Sequence, residues 1–137
     1  MEKTYHALTY GIPPGDSGII DLPIARKPLP SLLREVNPLG KPSLTRYQVL
    51  EVRNGCARLA LQPVTGRTHQ LRVHCAHQGF PILGDPQYGS PESVAFSRQH
   101  GLSSQLLCAC SLKLRHPILD TPLEITTKMD VNLSVLD

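Results

Sequence analysis

No tryptophan occurs among the 137 residues, and four tyrosines and two phenylalanines bring the aromatic share to only 4%. A surface built on rows of stacked bases needs more aromatic side chains than that, whereas a pocket receiving one extruded base needs a single one. Long apolar runs are missing too: nothing approaches the roughly 20 residues of a bilayer-spanning helix. The opening MEKTYHALTYG lacks the basic-then-apolar order of a secretory leader, so a cytoplasmic location is expected. Cysteines are few. Cys56, Cys75, Cys108 and Cys110 each fall in an apolar-patterned segment, which reads as buried thiols and not as a disulfide framework.

What is present suits one globular domain: 40% hydrophobic residues, 18% charged residues and no low-complexity tract. The charge is uneven. Ten lysines and arginines stand against five acidic residues up to Arg72, and four against six after it, so the first half suits an anionic partner. YHALTY alternates as a strand, a short strand is expected near Ile19 and Ile20, and an irregular arm carries Arg26, Lys27, Arg34 and Lys41. SLTRYQVLEVR and CARLALQPV are β-patterned and joined by Asn54-Gly55, the dipeptide of a type I′ hairpin. FPILGDPQYGSPES reads as a structured loop, SSQLLCACSLKLRHP as a strand, and PLEITTKM as a last strand. The expected fold class is α+β, an antiparallel-rich mixed sheet with one principal helix, as a single unit over 1–137.

That helix is predicted from about Thr65 to a cap at Gly79. At about 100° per residue, Leu71, Cys75, Thr68, Ala76 and Val73 share one arc, and Arg67, Gln70, His74 and His77 gather opposite. Arg72 sits in the middle of the apolar arc. A guanidinium stays ionised in any protein setting, so burying one calls for a carboxylate. Snorkelling to water or a bond to a backbone carbonyl is the plainer alternative. A metal site at His69, His74, His77 and Cys75 is not expected, because His69 lies about 140° from His74 on the wheel.

LQPVTGRTHQLRVHCAHQGFPILGDPQYG closely resembles the signature of the RluA-type RNA pseudouridine synthases, P-x-TGRTHQ-[IL]-RVH followed by G-x-PI-x-GD-x-x-YG. KTYHALTYG, GKPSLTRYQVLE and LLCACSLKLRHP agree with further family segments in order and spacing. The resemblance covers nearly the whole chain and corresponds to the C-terminal half of the family's catalytic domain. It implies isomerisation of uridine within RNA: the base is detached from its ribose, rotated and rejoined through carbon, with no cofactor and no metal expected. It further implies that Arg72 pairs with a catalytic aspartate and that Tyr5 stacks on the base. Lys3, Lys41, Arg67, His69 and Gln70 are expected RNA contacts, the lysines and arginine with phosphates.

Two departures follow. The family's aspartate lies in an H-R-L-D-x-x-T-S-G segment ahead of the tyrosine motif, and no such segment occurs in the sequence. Asp85 matches a different family position and reads as structural, and Asp16 and Asp21 sit in loop chemistry. The chain alone is therefore expected to be inactive, whether as a fragment, as one half of a split enzyme completed in trans, or as an RNA-binding remnant. Cys108 stands where many members carry histidine. Arg72 is expected beside a cleft with Tyr5 in reach, its guanidinium free or held by an acceptor outside the family pattern. Full burial against a carboxylate of this chain would mark it as structural. An exposed apolar face and an unpaired strand edge are expected to promote self-association.

Overall fold

The computed structural model describes residues 2–115, 118–127 and 130–137. Its centre is a long antiparallel hairpin, β5 (Leu44–Arg53) and β6 (Cys56–Pro63), turned by Asn54 and Gly55 at φ of 52° and 77°. Positive φ at both turn positions matches the right-handed twist of the flanking strands, which is why Asn-Gly specifies this turn. β1 (Glu2–Tyr10) pairs with β6 on one side and β7 (Leu107–Arg115) on the other. With β2 (Ser17–Asp21) and β8 (Pro122–Thr126) the sheet runs β2-β5-β6-β1-β7-β8. Every pairing between these strands is antiparallel, so the mixed character anticipated from the sequence is absent among the described residues.

Side-chain alternation along β1 gives the sheet two working faces. Ala7 packs with Leu59, Leu61, Leu71, Cys75 and Ile82 beneath α1 (Gln70–His77), with Tyr5 at the margin. Leu8 packs on the opposite face with Cys56, Leu83, Leu133 and Leu136, the last two from a short C-terminal 3-10 helix, Leu133–Leu136. The arm after β2 is more regular than its proline content suggested. β3 (Ile24–Arg26) and β4 (Arg34–Val36) form a two-stranded ribbon.

A second helix, α2 (Pro91–Gln99), lies within and beyond the stretch read as loop. Its start carries the usual signals: Ser90 accepts the Ser93 N–H at 3.1 Å, Pro91 occupies the first helical position and Glu92 the first turn. Ser97 of this helix accepts the Gly84 N–H at 2.9 Å. Gly84 has φ of 78° and a Cβ there would lie 2.0 Å from the Ser104 carbonyl oxygen, so no other residue fits. This fixes the 80–85 loop between the two helices. Cys56 and Cys75 are buried, and burial pushes the Cys75 thiol up to about 12, but Cys108 and Cys110 are only half-buried, contrary to expectation. β7 flanks β8, whose residues are exposed throughout, so among the described residues no layer covers β8. The family-like His116-Pro117 and the Lys128-Met129 end of the last strand segment lie outside the described residues. No helix among the described residues is long and apolar enough to cross a membrane.

Candidate active site

α1 is shorter than its periodicity implied because its first residues are spent on a turn. His69 adopts the left-handed conformation at φ 57°, so residues 65–69 approach the helix as a turn. Gln70 holds that turn shut. Its Oε1 accepts from the Thr65 hydroxyl at 2.7 Å and the Arg67 N–H at 3.1 Å, while Nε2 donates to the Leu44 carbonyl at 2.9 Å and Thr45 Oγ1 at 3.0 Å. Gln70 is thus 3% exposed with its amide fully engaged inside the chain, which corrects its assignment as an RNA contact.

The wheel also misplaced His74 and Thr68. His74 is completely buried: Nδ1 lies 2.8 Å from Thr45 Oγ1, and Nε2 donates to the Leu22 carbonyl at 2.8 Å. Thr68 precedes the helix and is exposed. A wheel assumes one covered face, whereas α1 packs against β5 and β6 on one side and the arm strand β4 on another. Polar residues on the second side are buried as satisfied pairs. Burial lowers the His74 pKa, opposed by the bond to Leu22, so the ring is neutral at pH 7.

Arg72 is 8% exposed, and its partner belongs to the same chain. Nε donates to Asp85 Oδ2 at 2.9 Å, Nη2 to Asp85 Oδ1 at 2.8 Å, and Nη2 again to Gln87 Oε1 at 2.7 Å. The guanidinium carbon stands 4.9 Å from the centre of the Tyr88 ring, within cation–π range. Asp85 also accepts the backbone N–H groups of Gln87 and Tyr88 at 3.0 and 3.2 Å. Burial pushes its carboxyl up, but the bonds from Arg72 and the two amides more than offset this and hold it below the ordinary aspartate value. The guanidinium is therefore neither free nor held by an acceptor outside the family pattern: this is a structural arginine in the first instance, and Asp85 is the carboxylate it required. Three of its five N–H groups are consumed. Among the described residues nothing bonds Nη1, and Arg72 lines a cleft, so that nitrogen is the edge left to it.

The cleft has a volume of about 590 Å³, and Lys3, Tyr5, Arg67, His69 and Arg72 line it, with the Gln70 side of the turn as its wall. β1 delivers Lys3 and Tyr5 through its pairing beside β6 and β7, the 65–69 turn delivers Arg67 and His69, and α1 delivers Arg72. Tyr5 and Arg72 both line this space. Lys41 does not: it borders a second cleft on the arm side. The three histidines of the rejected metal reading diverge, His69 to the cleft, His74 to the interior and His77 to the surface.

Sequence reasoning missed Tyr88. Its hydroxyl accepts the Arg34 N–H at 3.0 Å and lies 2.7 Å from His69 Nδ1. The Arg34 N–H takes one lone pair of the hydroxyl, which leaves its proton available to Nδ1. Burial lowers the His69 pKa, and the Arg72 and Arg34 charges lower it further against the pull of Asp85. The apolar run at 80–83 ending in Gly84-Asp85 was the available signal for the arginine's partner. Nothing in spacing alone could place the Tyr88 hydroxyl.

Comparison with known proteins decides the family. The sequence pattern of the RNA pseudouridylate synthase family matches residues 1–77, a stretch that includes Tyr5 and Arg72. The chain belongs to the RNA pseudouridylate synthase family. Ribosomal large subunit pseudouridine synthase C of Vibrio vulnificus is 37% identical over 133 residues, which cover 97% of this chain and 42% of that protein. The dual-specificity RNA pseudouridine synthase RluA of Yersinia pestis is 39% identical over 127 residues, covering 89% of this chain and 58% of that protein. The solved structure of human RNA Pseudouridylate Synthase Domain Containing 1 shares the fold at a TM-score of 0.80 and 31% identity, over 99% of this chain and 57% of that one. The chain thus spans only part of the length of its synthase relatives.

Proposed function

We propose that residues 1–137 are the C-terminal portion of a cytoplasmic RNA pseudouridine synthase domain and form one wall of its uridine pocket. The observation that carries this reading is the convergence of Tyr5 and Arg72, remote in sequence, on a single cleft. Tyr5 offers a ring for the extruded base. Arg72 offers Nη1, a fixed cationic donor, to the carboxylate that performs the glycosidic chemistry, while Asp85 and Gln87 hold its other edge. Lys3, Lys41, Arg67 and the Nε2–H of His69 supply RNA contacts. The relatives, ribosomal large subunit pseudouridine synthases among them, point to ribosomal RNA as the substrate class.

The sequence holds no H-R-L-D segment, so these residues alone should isomerise no uridine. The test is pseudouridine formation on unmodified ribosomal RNA, first with the purified chain and then with a polypeptide carrying the aspartate segment added in trans. No product in the first and recovered product in the second is expected, with recovery abolished by Arg72→Ala. Turnover by the chain alone would overturn this assignment of the carboxylate, and Asp85→Asn would then be the first variant to make. The exposed β8, with Leu123 and Ile125 open to solvent at the end of the sheet, supports self-association when no such partner is present.

A further inference from the structure

The second cleft, about 470 Å³, runs between the β3–β4 ribbon and the 65–69 turn. Arg26, Arg34, Lys41 and Arg67 line it, and no carboxylate does. In the ribbon's register Arg26 lies directly opposite Arg34. Like charges in that position repel and weaken a two-stranded ribbon, an arrangement that folding alone would not favour. It makes sense where an anion sits between them.

The ribbon is also held in place more firmly than a free arm would be. The Arg34 N–H is bound by the Tyr88 hydroxyl, the backbones of Ile24 and Lys41 exchange bonds of 3.0 and 2.9 Å, and Gly40 packs so closely that a Cβ would lie 2.4 Å from the Ile24 carbonyl carbon. Two of the cations are anchored by one edge only. Arg34 Nη1 donates to the Leu32 carbonyl and Arg67 Nε to the Pro42 carbonyl, at 2.7 and 3.0 Å. Among the described residues Arg26 and Lys41 have no ion-pair partner, and the other nitrogens of Arg34 and Arg67 are left for a ligand. Gly66 and Arg67 border both clefts, and at Gly66 a side chain would meet nothing within 4 Å.

We propose that this second cleft is a phosphate groove in which Arg26, Arg34, Lys41 and Arg67 hold the RNA backbone flanking the nucleotide in the first cleft. The proposal rests on the RNA reading above, which already takes Lys41 and Arg67 as RNA contacts, and deepens it by adding Arg26 and Arg34 and joining all four in one groove. Phosphate contacts of this kind position a strand without reading its sequence.

The test is a fluorescence-anisotropy titration of a uridine-containing RNA stem-loop across a salt series, using the parent chain, Arg26→Gln/Arg34→Gln, Lys41→Gln and the control Arg98→Gln on α2. Each phosphate contact removed should flatten the slope of log affinity against log salt by about 0.7–0.9. The double variant should therefore lose about 1.4–1.8, Lys41→Gln about half of that, and the control nothing. Should the double variant fail to fold, Lys41→Gln, whose side chain is exposed, decides alone. Parent-like slopes in folded groove variants would overturn the groove while leaving the uridine cleft standing. Failure of the parent to bind the stem-loop at all would overturn the groove and the RNA reading together.

Discussion

Replacing Asp85 probes the interaction on which the site depends. Its side chain is 1% exposed and that of Arg72 is 9% exposed, so the charge left behind by Asp85→Ala has little water to turn to. Breaking a buried pair from one side costs about 3–5 kcal/mol, and here two backbone N–H groups also lose their acceptor. A domain of this size has a total stability of about 5–15 kcal/mol, so a large share is at stake. With a urea dependence of about 1–3 kcal/mol per molar, the unfolding midpoint should fall by about 1–5 M, or the protein should not fold. Asp85→Asn keeps the shape and one acceptor oxygen but places an NH₂ where Arg72 needs a lone pair, and the same direction of change is expected. The pH dependence gives a second readout. Because the folded-state carboxyl is held below its unfolded value, its contribution is complete above about pH 4 and is lost as pH falls through the folded value, a loss absent in Asp85→Asn. A midpoint for Asp85→Asn within about 0.3 M urea of the parent, too small for a buried charge pair, would refute the argument.

His69 and His74 are both held below the ordinary histidine value, so the unfolded chain takes up protons first as pH drops through about 6.5. Stability should therefore decline from pH 7.5 to pH 5, and urea midpoints that do not change over that range would contradict the assignment of neutral rings. Tyr88→Phe removes the hydroxyl shared by Arg34 and His69, at a cost of about 1–3 kcal/mol. Imidazole nitrogen shifts should show a pure Nε2–H tautomer for His69 in the parent and a mixture in the variant, and a mixture in both would remove Tyr88 from the role given to it.

The parts of the fold legible in the sequence are those set by local backbone chemistry. Asn54-Gly55 imposed the hairpin because few other dipeptides accept two positive φ values, and Gly79 at φ 93° closed α1 for the same reason. α2 was equally legible, since Ser90, Pro91 and Glu92 are ordinary helix-start residues, but the glycines and prolines around them carried the loop reading through Ser93. What could not be read was which side of α1 faced what. Gln70 and His74 look solvent-facing by type, and only the arrival of β4 and the donors and acceptors of Thr45, Leu22 and Leu44 makes their burial affordable. The cysteines show the limit of pattern in a strand: alternation along β7 is clear, but the exposed β8 beside it leaves Cys108 and Cys110 half-open.

Arg72 shows why a motif residue and a structural residue need not be alternatives. One carboxylate can satisfy at most the two N–H groups that one edge of the guanidinium presents, and Asp85 does this through Nε and Nη2. The remaining Nη2 proton is taken by Gln87 and the ring face by Tyr88, which fixes the plane of the group. The fixed plane then sets the directions of both N–H groups on Nη1, which lowers the entropic cost of binding a ligand there. A lysine in the same place could keep the charge but would have no rigid second edge to offer. The pairing that makes Arg72 structural is thus also what would preorganise it for a second carboxylate, and the inward-facing charge on α1 has one physical explanation instead of two.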